Sequence, residues 1–343
     1  MGFSRSVAAF VLGSAVAACA AGSTPSTTSA DLTADGGACT PIAPRPTPIQ
    51  LAVWPEAGEA AITAPLGEAQ HSIRLMVYML GMDGAFAVLK AKATAGVDVR
   101  VILDGGKQRS FNTRAFNALT QAGVQVKWSD PKFAFMHAKS FVVDDHIAIV
   151  STGNFPKGLV GDERNYVARD EDPADVATIA GVFDADWAGT DPDLACTRLL
   201  VSPTSSKDRL LALITGATSS LLVESLELSD ADVIAAILAR KRAGLDVRVL
   251  LADPAWDGSG NNARTAAKLD AQQVPTRMIP KARMLVHVKS ILVDGERAYM
   301  GSENLTTGSL VKNREIGLVV TDAPAVGTMT ATFESDFASA TTL

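Results

Sequence analysis

Two short segments hold residue types that can act on a phosphate ester: "HAKSFVVD" at residues 137–144 and "HVKSILVD" at residues 287–294. Each sets a histidine two residues before a lysine, and a strand places residues i and i+2 on one face. His137 with Lys139, and His287 with Lys289, therefore point the same way. An imidazole can attack or exchange a proton near neutral pH, and a neighbouring ammonium suits an anionic substrate. A tight turn follows each strand, at Asp144-Asp145 and Asp294-Gly295. A second strand then ends in "STGN" or "GSEN". Small residues there let the backbone and the amides of Asn154 and Asn304 approach the same oxygens. Asp144 and Asp294 complete the motif but sit seven residues after their histidines, on the opposite parity. That placement suits a turn or an ion pair better than contact with the imidazole.

The elements around these segments repeat. "VWP" at residues 53–55 matches "VSP" at 201–203, and "SIRLMVYML" from Ser72 lines up with "SLLVESLEL" from Ser220. "AGVDVRVILDG" from Ala95 matches "AGLDVRVLLAD" from Ala243. The offset stays near 150 residues, which is duplication of a whole domain rather than a solenoid repeat. Within each copy, near-continuous apolar strands at 97–103 and 245–251 follow amphipathic stretches at 84–95 and 230–243. Such strands imply a sheet covered on both faces. The expected fold is α/β, with two pseudo-symmetric halves at 49–198 and 199–343, each a mixed sheet flanked by helices.

Composition narrows the function. The chain has 343 residues, 31 basic and 37 acidic side chains, and a formal charge of −6. It has no broad basic face for a polyanion, which counts against nucleic acid without excluding it. Residues 1–18 read as a signal segment. The Val-Ala-Ala before Cys19 resembles a bacterial lipoprotein box, the alternative being ordinary secretory cleavage. Export, with lipid anchoring at the cell envelope through Cys19, is the expected location. Residues 19–48, rich in Ser, Thr, Pro and Gly, read as a flexible tether. Cys39 and Cys196 would form a disulfide in an exported protein, or remain buried thiols.

The doubled His-x-Lys-x4-Asp, each followed by a small-residue turn with Asn, resembles the phospholipase D superfamily over about residues 50–325. The resemblance implies one active site at the seam between the halves and phosphodiester transfer without metal or cofactor. One histidine would form a phosphohistidine, and the other would protonate the departing oxygen and then activate the acceptor. Lys139, Lys289, Asn154 and Asn304 would hold the phosphate oxygens, with Thr152 and Ser302 supplying hydroxyls. Family members often carry a further acid that orients a catalytic histidine. "NREIGLVV" makes this Glu315, and across the seam it would orient His137, the expected nucleophile, leaving His287 as acid and base. The matching stretch "ERNYVARD" offers Asn165 instead, which cannot favour an imidazolium, so the histidines should be unequal. "STGN" also departs from the family's Gly-Ser-x-Asn. The expected activity is hydrolysis or exchange of phospholipid head groups at a membrane surface. Cardiolipin-synthase-like transfer, a periplasmic nuclease and a non-catalytic lipid-binding protein are the alternatives. A duplicated chain holds both half-sites and needs no second copy, so a monomer is expected.

Overall fold

The computed structural model describes residues 45–156, 163–257 and 259–342. The first half runs β1 (Gln50–Trp54), α1 (Ala60–Glu68), β2 (Ser72–Val77), α2 (Asp83–Thr94), β3 (Asp98–Leu103), α3 (Arg109–Gln121), β4 (Gln125–Trp128), β5 (Lys139–Val143), β6 (Ile147–Ser151), β7 (Glu163–Asp170) and α4 (Pro173–Ala188). The second runs β8 (Leu200–Ser202), α5 (Ser206–Thr215), β9 (Ser220–Ser225), α6 (Ala231–Arg242), β10 (Asp246–Ala252), α7 (Pro254–Asp257), α8 (Asn261–Asp270), β11 (Thr276–Ile279), β12 (Leu285–Val286), β13 (Lys289–Val293), β14 (Arg297–Gly301), α9 (Thr307–Val311), β15 (Glu315–Val320) and α10 (Ala323–Ser339).

The expected pseudo-symmetry is present. One sheet has the order β1-β7-β6-β5-β2-β3-β4, and the other β8-β15-β14-β13-β9-β10-β11. Three parallel strands in each (β2-β3-β4 and β9-β10-β11) adjoin an antiparallel set. Strands buried on both faces explain the long apolar runs: every residue of β5, β6 and β13 is buried. Helices α1, α2 and α3 cover one sheet through Ile62, Leu66, Phe86, Leu89 and Leu119. Helices α5, α6 and α8 cover the other through Leu210, Leu213, Ile237 and Leu269. A third core joins the inner faces of both sheets with α4 and α10, through Phe183 and Phe333. Each such side chain contributes about 1.5–3 kcal/mol by leaving water, so this core fuses the halves into one folding unit.

The β5–β6 and β13–β14 hairpins turn through Asp144-Asp145 and Asp294-Gly295, all at positive φ, which matches the twist of the strands they join. The tether expected over 19–48 ends earlier than its composition implied. Arg45 is held by Asp170 at 3.0 Å, Asp175 at 2.9 Å and the Val319 carbonyl at 2.9 Å, so the folded body already includes it. Residues 1–44, which hold the signal segment, most of the tether, Cys19 and Cys39, lie outside the described residues. Cys196 is disulfide-bonded.

Candidate active site at the seam

Each histidine is placed by the opposite half. The chain before β5 runs beside the chain before β15, where Arg314 N donates to Phe135 O and His137 N to Arg314 O, both at 2.9 Å. In the mirrored arrangement β12 pairs parallel with β7, Leu285 opposite Glu163, and His287 N donates to Arg164 O at 3.1 Å. The first residues of each motif thus borrow a strand edge across the seam, and the two motifs meet there.

Glu315 reaches His137, its carboxylate oxygens lying 2.7 and 2.9 Å from Nδ1. The carboxylate is itself fixed by the Ser309 hydroxyl and by Asn313 Nδ2 at 3.0 Å. Asn165 reaches His287, with Oδ1 3.0 Å from Nδ1. These side-chain contacts of both rings are made at Nδ1. Lys139 Nζ donates to His137 O at 2.5 Å and stands 5.3 Å from the centre of the Tyr78 ring. Lys289 Nζ donates to His287 O at 2.6 Å and to Thr152 O at 3.1 Å, and lies 3.1 Å from His287 Nδ1.

All four basic groups are nearly or fully buried, and burial disfavours their charged forms. His137 is brought down to about 4, by burial first and by the two lysines, against the pull of Glu315. Lys139 falls to about 7, burial outweighing Glu315, Glu303 and Asp104. His287 and Lys289 lie well below their usual ranges. For both, burial is the main cause, and the repulsion of neighbouring lysines adds to it. Burial would raise Glu315, but His137 and Lys139 hold it below the ordinary carboxylate range. A phosphate placed here would supply the negative charge that this cluster lacks, and all four bases would then hold protons more strongly.

Other expected residues are placed differently. Asp144 and Asp294 do not join the chemistry, because they sit at the far ends of β5 and β13 from the histidines. The Asp144 carboxylate accepts from the N–H groups of Gln70, His71 and Ser72 at 2.7–2.8 Å, and Asp294 serves Thr218, Ser219 and Ser220 in the same way. Thr152 and Ser302 do not turn their hydroxyls to a phosphate site as expected. The Thr152 hydroxyl is committed to Tyr166 N and Asn165 Oδ1, and the Ser302 hydroxyl to Ile316 N. Both brace the strands behind the site. Asn154 and Asn304 do end the expected turns, and the Oδ1 of each is buried without a hydrogen-bond partner.

Three residues were missed. Tyr78 lies edge-on to His137 with ring centres 4.6 Å apart. Asp104, fully buried, accepts from Met136 N at 2.9 Å and Gln108 N at 2.6 Å, tying the motif's entry to the end of β3. Both follow the C-terminal ends of parallel strands, where α/β sheets build their sites, and that position was the available signal. Glu303 fills the variable place of "GSEN". It is buried against the Tyr299 hydroxyl at 2.7 Å and the Ser206 hydroxyl at 2.9 Å, and burial with the nearby Glu315 raises it to about 8.

Residues 62–187 and 210–337 each match the family model described as cardiolipin synthase, PLD-like domain. The chain belongs to this phospholipase D-like family. A cardiolipin synthase of Halalkalibacterium halodurans is 24% identical over 322 residues, which is 81% of this chain and 63% of that protein. Cardiolipin synthase A of Klebsiella pneumoniae is 27% identical over 331 residues, 79% of this chain and 65% of that protein. The chain thus spans less than two thirds of these curated relatives. Among solved structures, phosphatidylserine synthase of Haemophilus influenzae Rd KW20 superposes with a TM-score of 0.63 at 13% identity, covering 86% of this chain and 87% of that one. Its likeness is one of fold.

Proposed function

We propose that the protein transfers phosphodiesters at a phospholipid surface, passing a phosphatidyl group through a phosphohistidine to an alcohol acceptor. The sequence alone favours hydrolysis. The names of the cardiolipin synthase relatives favour transfer, with water as the competing acceptor at the same intermediate. The observation that supports the reading most is that each half grips the other half's imidazole by Nδ1, leaving Nε2 of both for substrate.

In this scheme His137 Nε2 attacks phosphorus and the bond to the head-group oxygen breaks. His287 gives that oxygen a proton. Glu315 steadies the positive charge that develops on His137, as a buried carboxylate does for any catalytic imidazole. His287, now neutral, takes the proton of the acceptor hydroxyl, whose oxygen attacks phosphorus and frees His137. Lys139, Lys289 and the two Asn amides face the charge on the remaining phosphate oxygens.

The test supplies phosphatidylglycerol vesicles in EDTA, with and without free ethanol. Cardiolipin or phosphatidyl-alcohol products are expected, with phosphatidic acid growing when acceptor is scarce. His137→Ala and His287→Ala should each lower turnover by about 10³-fold or more. Wild-type rates in either variant, or plasmid nicking with intact lipid, would reject the reading.

A further inference from the structure

Before β15 the chain reads Asn313-Arg314-Glu315, while the start of β7 reads Glu163-Arg164-Asn165. The backbone registers match, since His137 N meets Arg314 O and His287 N meets Arg164 O. The arginines match too: Arg314 forks onto Asp186 at 2.8 and 2.9 Å, and Arg164 onto Asp336 at 2.7 and 3.1 Å. Acid and amide have therefore exchanged places at equivalent positions, with no slip of the strand.

The side chains keep that exchange. Around His137 the carboxylate touches the ring and the amide stands behind it, Asn313 Nδ2 at 3.0 Å from Glu315 Oε1. Around His287 the amide touches the ring and the carboxylate stands behind, Asn165 Nδ2 at 3.2 Å from Glu163 Oε2. The Glu163 carboxylate, an acceptor only, takes the amide nitrogen and so turns Oδ1 toward the ring, where the Thr152 hydroxyl, itself accepting from Tyr166 N at 2.9 Å, also meets it at 3.0 Å. Gly153 leaves the room, because a Cβ there would lie 2.6 Å from Asn165 Cγ. The departures Asn165, Thr152 and Gly153 thus form one arrangement.

We propose that Glu163 is a positioning residue for His287, acting through the Asn165 amide as a relay that holds the charge one side chain away from the ring. The carboxylate draws on the amide N–H, which makes Oδ1 a stronger acceptor for Nδ1–H, since linked hydrogen bonds polarise one another. Lys289 Nζ, 3.1 Å from the same Nδ1, acts against this, as do Lys139 and His137. With Glu163 in place, the proton stays on Nδ1 and Nε2 faces the substrate. The relayed charge is weaker than the direct contact of Glu315, so His287 is the poorer base and its imidazolium the better acid. That is the property a donor to the leaving oxygen needs. This catalytic meaning rests on the function proposed above, whereas the tautomer does not.

The test labels histidine with ¹⁵N in the full chain, where only four histidines occur and His287→Ala identifies the signal. Wild type should show His287 protonated on Nδ1. Glu163→Gln, which keeps the shape and removes the charge, should move the proton toward Nε2. It should also lower kcat by about tenfold or more with little change in KM. The exchange of Glu163→Asn with Asn165→Glu should restore the Nδ1 proton and raise the titration of His287 by about one unit or more. An unshifted tautomer and pH profile in Glu163→Gln would overturn the proposal. Tautomer shifts in a protein inactive on every lipid would uphold the relay and reject the function.

Discussion

At the scale of single residues, the site is a set of bases held in a buried seam with one carboxylate in contact. This makes anion binding a proton-linked event. Lys139 sits at about 7 without ligand, below its ordinary value, and a bound anion raises it, so binding takes up protons. Affinity must then fall as pH rises above about 7, where free Lys139 loses the proton that binding requires. Tungstate, a tetrahedral anion whose charge is constant in this range, is a suitable probe. Titration calorimetry between pH 6 and 9 should show weakening affinity with proton uptake, and Lys139→Met should flatten the slope. A pH-independent affinity in wild type would mean that the lysine stays charged in the empty site. That His137 lies beside Lys139, and His287 beside Lys289, was legible from spacing alone, because a period of two puts each pair on one face. The contact of Glu315 with His137 was legible only through the family likeness. Cross-seam distances depend on how two sheets pack, and no local pattern encodes that. Tyr78 and Asp104 lie in the same half as His137, and the signal for them was their place just after the C-terminal ends of β2 and β3.

At the scale of elements, the hairpins show how a motif residue can hold a turn in place at the far end of the strand from the histidine. The Asp294 carboxylate accepts three backbone N–H groups and the hydroxyls of Thr218 and Ser219, and these hydrogen bonds hold it at about 2 although partial burial alone would raise it. A depressed carboxyl stabilises the fold above its unfolded value near 4, and that stability is lost as pH falls through about 2. Asp294→Asn should therefore cost about 1–2 kcal/mol at neutral pH, after allowance for solvent screening. The deficit should shrink as pH drops from 4 towards 2, with KM unchanged in the folded variant. Urea denaturation across that range measures it, and a variant that keeps stability but loses turnover would return Asp294 to the chemistry. Parity along the strand had already set the two aspartates apart from their histidines. Helices and strands followed the expected boundaries closely, β3 and α6 falling inside the expected runs and β10 and α2 lying one residue off theirs. The tether did not, since composition could not reveal that Arg45 has three partners waiting on β7, α4 and β15.

At the scale of the whole molecule, duplication places each half's motif histidine in contact with a side chain of the other half, so under the function proposed above activity should depend on the integrity of the seam. The paired arginines are the points where this can be measured. Arg314 on one half clasps Asp186 in α4 of the other, with side chains 2% and 1% exposed, and also donates to Ser202 O at 2.9 Å. Arg164 mirrors it with Asp336 in α10 and Trp54 O at 2.7 Å. Two buried charges attract strongly but have both given up water, so the pair contributes less than the cost of breaking it. Arg314→Leu should destabilise the protein by about 3–5 kcal/mol, because Asp186 would remain buried without its counter-ion, its pKa already raised by burial. Turnover should fall as well, since Arg314 adjoins Glu315 and its carbonyl receives His137 N. Combining Arg314→Met with Asp186→Leu should recover most of the stability, as apolar replacement of both partners leaves no unpaired charge. Activity in the double variant separates the two roles of the clasp. Full recovery would assign the arginine to joining the halves. Restored stability with low turnover would mean that the fork also sets the register in which Glu315 meets His137, which the short cross-seam strand contacts lead us to expect.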